Sequence, residues 1–197
     1  MIFRLREAKD KGEVEWLRHL EAAGLPVAPT LVLGFQGPNS LENEFYALAN
    51  LPEQIRRAFK GVFGVRIDEE KLEAACAQAE RLMRESYLLP ERADELRQAL
   101  PDGPLLVRYA GEAPFALEPG KQEALWALKR LWASRWEVDA VLERAPQLSP
   151  PEVPSLIQQV SALPDPDEDL SILASHALGK QIRVWSTDGK IVWVAEA

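Results

Sequence analysis

Pro101-Asp102-Gly103-Pro104-Leu105-Leu106-Val107-Arg108-Tyr109 joins a turn to a strand and divides the chain into two unlike halves. Two prolines and a glycine within four residues end any preceding helix. The five residues that follow read as a strand. Upstream, apolar residues recur at helical spacing. Val14, Leu17, Leu20 and Ala23 predict a helix over 13–23, with Gly24 as its stop. After Pro26 and Pro29, Thr30 to Phe35 reads as a buried strand and 37–40 as a loop. Ile55, Phe59 and Val62 predict a helix over 51–62 behind Asn50 as N-cap. Leu72, Ala75, Cys76, Ala79, Leu82 and Met83 predict another after Asp68, where Glu69 and Glu70 suit the positive end of the helix dipole. A further helix is expected over 90–100. Downstream, Leu125, Leu128, Trp132 and Trp136 give a helix over 121–136 that bends on toward Arg144. A Pro-rich connector leads to a strand over 155–160, then an acidic loop over 164–169. Residues 171–178 read as extended. Asp188-Gly189 closes a terminal hairpin of 182–186 with 190–194. The fold class is therefore α+β: a helix-rich N-terminal subdomain (1–103), then a mixed subdomain (104–197) that ends in a β-hairpin.

The chain of 197 residues is long enough to bury a core without a disulfide or a structural metal. Its net charge of −8 argues against a nucleic-acid partner, which needs clustered Lys and Arg. It leaves room for a small nucleotide, which a few basic groups and backbone amides can hold. Cys76 is the only cysteine, so an internal disulfide is excluded and a cysteine-based zinc site lacks ligands. The charged start Met1-Ile2-Phe3-Arg4-Leu5-Arg6 does not read as a signal peptide, and no apolar run spans a membrane. The expectation is a cytoplasmic protein with no membrane partner.

Four segments, in order, resemble the N-terminal ATP-binding region of the phosphoenolpyruvate synthase and pyruvate phosphate dikinase family. Ala23-Gly24-Leu25-Pro26-Val27-Ala28-Pro29 is similar to "AG(I/L)PVPPGFV". Leu51-Pro52-Glu53-Gln54-Ile55 is similar to "LPEEV". Leu106-Val107-Arg108-Tyr109-Ala110 stands in the place of "VAVRSSA". Leu131-Trp132-Ala133-Ser134-Arg135-Trp136 is similar to "CWASLW". Leu156-Ile157-Gln158-Gln159-Val160 resembles "VVVQ", and Ala174 to Lys180 resembles a remnant of "GLGE". The resemblance implies an ATP-grasp-like fold, with ATP and Mg2+ as cofactors held between two α+β subdomains.

The resemblance places two nucleotide-binding residues. Arg108 falls on the phosphate-contacting arginine, and a guanidinium can hold phosphate oxygens through paired hydrogen bonds. The plain alternative is an arginine paired with a nearby carboxylate. Lys11, followed by Gly12, is the best match to the lysine of "GGKGANLG", although the double glycine is gone. A solvated lysine at a helix entry is the alternative. Tyr109 and Ala110 replace the family's two serines, and Lys180 stands where its "GLGE" glutamate falls. Asp165, Asp167, Glu168 and Asp169 could supply carboxylates, but such a loop is more often solvated. No catalytic residue and no metal ligand set is assigned. His19 and His176 lie outside a phosphohistidine motif, Cys76 lies on an apolar stripe, and Ser134 has no recognisable base. Trp132 and Trp136 read as core, while Trp185 and Trp193 flank the hairpin turn and can pair across it.

The family's swivelling histidine domain and pyruvate-binding barrel do not fit within this length. Three functions follow. The chain is a nucleotide-binding module without complete phosphotransfer activity alone. Or it is a non-catalytic interaction or regulatory protein that reuses the fold. Or it is a phosphotransferase subunit that needs a partner protein carrying the missing domains.

Overall fold

Among the described residues every pairing between strands is antiparallel, in a five-stranded and a three-stranded sheet, with one isolated parallel bridge between Val27 and Ile191. The structure, a computed structural model, describes residues 2–34, 40–48 and 50–197. Phe35 at the end of the expected first strand and most of the expected loop at 37–40 lie outside the described residues.

The five-stranded sheet runs in the order β1-β2-β5-β3-β4, built from β1 (Ile2–Arg4), β2 (Thr30–Leu33), β3 (Leu105–Tyr109), β4 (Ala116–Glu118) and β5 (Ser155–Gln159). It draws strands from both sides of residue 103. Side chains alternate across it. Leu31, Leu33, Leu105, Val107, Tyr109 and Ile157 point into the larger core. Around that core pack α2 (Leu41–Leu48), α3 (Leu51–Ala58), α4 (Glu69–Glu85), α5 (Pro90–Ala99), α6 (Lys121–Ser134) and α7 (Val138–Arg144). Val32 and Leu156 point the other way, into a second core made with Val14, Leu17 and Leu20 of α1 (Glu13–Ala22).

The second core is closed by the C-terminal region: β6 (Asp165–Pro166), α8 (Glu168–Leu178), β7 (Ile182–Thr187) and β8 (Lys190–Glu196). Trp185 and Trp193 face each other in register with ring centroids 3.8 Å apart. The hairpin is fastened to the chain after α1, because Ala28 N donates to Ile191 O and Ile191 N to Pro26 O.

Most expected helices are present with shorter ends. The helix over 51–62 stops at Ala58, and Asn50 takes a left-handed backbone (φ 50°) with no side-chain cap bond. The expected bend after Trp136 is a break between α6 and α7. Strands β1 and β4 and helix α2 are short elements that periodicity did not reveal.

One expectation is corrected. Residues 171–178 are helical, within α8, and not extended. Asp167 is the cause at one end, its carboxylate accepting from Leu170 N at 2.9 Å. Gly179 is the cause at the other, where a φ of 67° suits the left-handed C-terminal stop. The acidic loop therefore starts a helix. Asp167 also accepts from the Ser186 hydroxyl at 2.6 Å, which with its backbone bonds holds its carboxyl below the usual range.

Asp167→Ala should lower stability by about 1–2 kcal/mol, the usual loss of an N-cap. Because the folded-state pKa is depressed, the wild-type advantage is present at neutral pH and fades as acid protonates Asp167. Urea unfolding of both proteins at neutral and acidic pH checks this; an equal difference at both would refute the assignment.

Candidate functional site

Arg108 is the fourth residue of β3, and strand alternation turns it to the face that α1 and β8 cover. Its side chain is fully buried. Glu13, the first residue of α1, meets it in a two-pronged pair, with Nη1 2.7 Å from Oε2 and Nη2 2.8 Å from Oε1. Nε donates to Gln158 Oε1 at 2.8 Å. Nη2 also donates to Val192 O, and Nη1 to the carbonyls of Tyr109 and Glu112. A guanidinium has five N–H donors, and these contacts use all five.

The network extends outward. Glu13 accepts also from Gly111 N and Val194 N, at 2.5 and 3.0 Å. Gln158 donates to Thr30 Oγ1 and Val192 O. Thr30, Gln158 and Leu106 lie in adjacent register positions on one sheet face. The arginine named by the sequence is thus held inside the protein by α1, β3, β5 and β8. Lys11 lies two residues before Glu13, exposed on the loop that enters α1. His19 and His176 are exposed on separate helices. Cys76 is core, and burial pushes its thiol up to about 11. Among the described residues no three His, Cys, Asp or Glu side chains gather in a group fit for a metal ion.

The opposite face of β3 carries a second cluster, at a cleft of about 470 Å3 between α2, α3 and the 148–152 segment. Ser40 starts α2, its hydroxyl accepting from Asn43 N at 3.0 Å. Glu42 and Tyr46 are then one turn apart on a single face, and both line the cleft. Glu42 is only 8% exposed. Its Oε1 accepts from the Tyr109 hydroxyl at 3.3 Å. Burial pushes its carboxyl up to about 8, against the opposing pull of the Tyr109 hydrogen bond and the Arg135 charge. At neutral pH Glu42 is therefore mostly protonated. Burial, and then the Glu42 charge, raise Tyr46 above the usual phenol range, so it stays a hydroxyl.

Two guanidiniums stand behind these groups. Arg135 lies 3.8 Å from the Tyr109 ring centroid, with Nη2 2.8 Å from Glu112 Oε1. Arg144 lies over the Trp136 ring and donates to the carbonyls of Arg135, Ala140 and Leu148. Trp136 Nε1 donates to Tyr46 Oη at 2.7 Å. Arg135 Nε and Arg144 Nη2 are buried without a hydrogen-bond acceptor among the described residues. A raised carboxyl, two tyrosines and two arginines beside a cleft form the kind of constellation that marks binding and catalytic sites.

The sequence reading missed Glu42, Tyr46 and Arg144. One signal was available for Arg135: it stands where "CWASLW" has a leucine, a charge in a position otherwise read as core. Compared with protein-family models and with curated proteins, the chain matches none.

Removing either partner of the buried pair, by Glu13→Gln or Arg108→Met, should cost about 3–5 kcal/mol, because the survivor stays buried without its counter-charge. The double variant should lose clearly less than the sum. Additive losses in a urea double-mutant cycle would refute the coupling. Glu42 gives a pH test of the second cluster. Its raised folded-state pKa means that stability is lost as pH rises from the ordinary value of 4.5 to about 8. Glu42→Gln should abolish that slope and leave the variant more stable by roughly 3–5 kcal/mol above about pH 8, the worth of such a shift. Parallel pH–stability curves for the two proteins would count against a protonated Glu42.

Proposed function

We propose that this chain is a non-catalytic binding or regulatory module that reuses a phosphoenolpyruvate synthase-like, ATP-grasp-like fold and works through the Glu42 cleft. The observation that carries the reading is the state of Arg108. A phosphate-contacting arginine needs donors directed at its ligand, and all five donors of Arg108 end on protein acceptors. For a nucleotide to use it, the Glu13 carboxylate would have to be left buried and uncompensated, which is costly. Tyr109 supports the same reading: where the family has a small serine, this chain has a ring packed in the helical core and covered by Arg135. The α+β architecture with antiparallel sheets is compatible with the ATP-grasp-like assignment, which stays part of the proposal.

The nucleotide-binding and phosphotransferase readings make the opposite demand, that MgATP find Arg108. Titration calorimetry of the purified chain with MgATP separates them. The expectation is no binding heat up to about 1 mM ligand, a threshold near −4 kcal/mol of binding free energy. Micromolar binding that Arg108→Met weakens by about tenfold or more, roughly 1.4 kcal/mol, would overturn the proposal in favour of a surviving nucleotide site.

A further inference from the structure

The Glu42 cleft has a particular imbalance of donors and acceptors. Tyr46 accepts from Trp136 Nε1, and none of the hydrogen bonds it makes among the described residues uses its own O–H as donor. Glu42 accepts from Tyr109 at one oxygen, and its protonated form adds a second O–H donor. Behind them, Arg135 and Arg144 bring two positive charges. Among the described residues, Glu112 is the one carboxylate paired with either, and it pairs with Arg135. Arg56, on the wall of the cleft, adds a third guanidinium, itself bonded to Glu53. The remaining walls are mainly apolar, with Pro52, Ile55, Trp136, Leu148 and the Pro150-Pro151 pair, and Asn43, Ser149 and Glu152 add polar groups at their edge. The volume lies within the range of small-molecule sites.

We propose that this cleft binds a small organic carboxylate with an aromatic or aliphatic body, its two oxygens accepting from the Glu42 and Tyr46 hydroxyls and its body lying against Trp136, Ile55 and Leu148. Two O–H donors one helical turn apart on the cleft wall match the two oxygens of a carboxylate. A phosphate would call for more donors than Glu42 and Tyr46 supply, and the one guanidinium on the described wall, Arg56, is already bonded to Glu53. A cation would meet Arg56 and a neutral Glu42 on the cleft wall, with Glu152 as the opposing group. Binding should fall as Glu42 ionises, because the ligand then meets a like charge. Glu42 is faced by Tyr109 on β3 and Arg135 after α6; Tyr46 lies one turn along α2 with Arg144 of α7 near it, and Arg56 and Glu152 line the same cleft. Both tyrosines are raised above the usual phenol range, so Glu42 is the acid of this cluster that changes state near neutral pH.

This inference rests on the binding-module reading, and the test keeps the two apart. Naphthoate, naphthamide, naphthyl phosphate and naphthylmethylammonium are titrated calorimetrically into the full chain near neutral pH, beside MgATP. Naphthoate should bind at least about tenfold tighter than the amide or the ammonium. Its affinity should drop by about tenfold or more toward pH 9, well above the Glu42 midpoint. Glu42→Gln, which keeps a donor and cannot ionise, should retain binding and lose the pH dependence. Tyr46→Phe, which keeps the ring, should weaken binding by about tenfold. No carboxylate binding at about 10 mM, equal binding of the amide, or preference for the phosphate or the ammonium would each overturn the inference. MgATP binding with carboxylate binding intact would overturn the functional reading alone. Absence of both would overturn the carboxylate site alone.

Discussion

The Glu13–Arg108 pair sets the arrangement of the whole chain. Glu13 opens the first helix, Arg108 sits in the middle of the central sheet, and Val192 and Val194 belong to the last strand. Every donor and acceptor in the network is satisfied by another part of the protein. That is the condition under which burying two charges is tolerable. The consequence is geometric. The N-terminal helix and the C-terminal hairpin cannot move off the sheet without exposing an unpaired charge in the low-dielectric layer between them.

The same strand supports the second site by simple alternation. Arg108 points into the layer of α1 and β8, and its neighbour Tyr109 points into the helical layer, where its hydroxyl reaches Glu42. Fixing Arg108 therefore fixes Tyr109, and Tyr109 fixes the depth and orientation of the Glu42 carboxyl. The polar network on one face is closed and internal. The cluster on the other face has spare donors and opens to a cleft. One is built for rigidity and the other has capacity left for a ligand.

Much of the fold was legible because its signals are local. The heptad-like apolar stripe of Leu72, Ala75, Cys76, Ala79 and Met83 is buried as read, and Asp188-Gly189 makes the hairpin turn that brings Trp185 onto Trp193. The segment 171–178 was misread because its apolar residues are mixed with Ser171, Ser175 and His176, so periodicity gave no clear answer. Two capping residues at its ends decided for a helix. The short strands β1 and β4 have no independent pattern; they exist because β2 and β3 offer edges to pair with.

By itself, the sequence determined the α+β class, the long helices, the terminal hairpin and the importance of Arg108, since each depends on residues close together in the chain or on one conspicuous side chain. Only the tertiary structure shows which groups hold Arg108. Its partner Glu13 is 95 residues away, and no local pattern could distinguish a guanidinium waiting for a phosphate from one already paired. It likewise decided the character of Glu42, an ordinary surface-type residue by sequence. Its ionisation is set by burial beside Tyr109 of β3 and Arg135, which meet it only when the chain is folded.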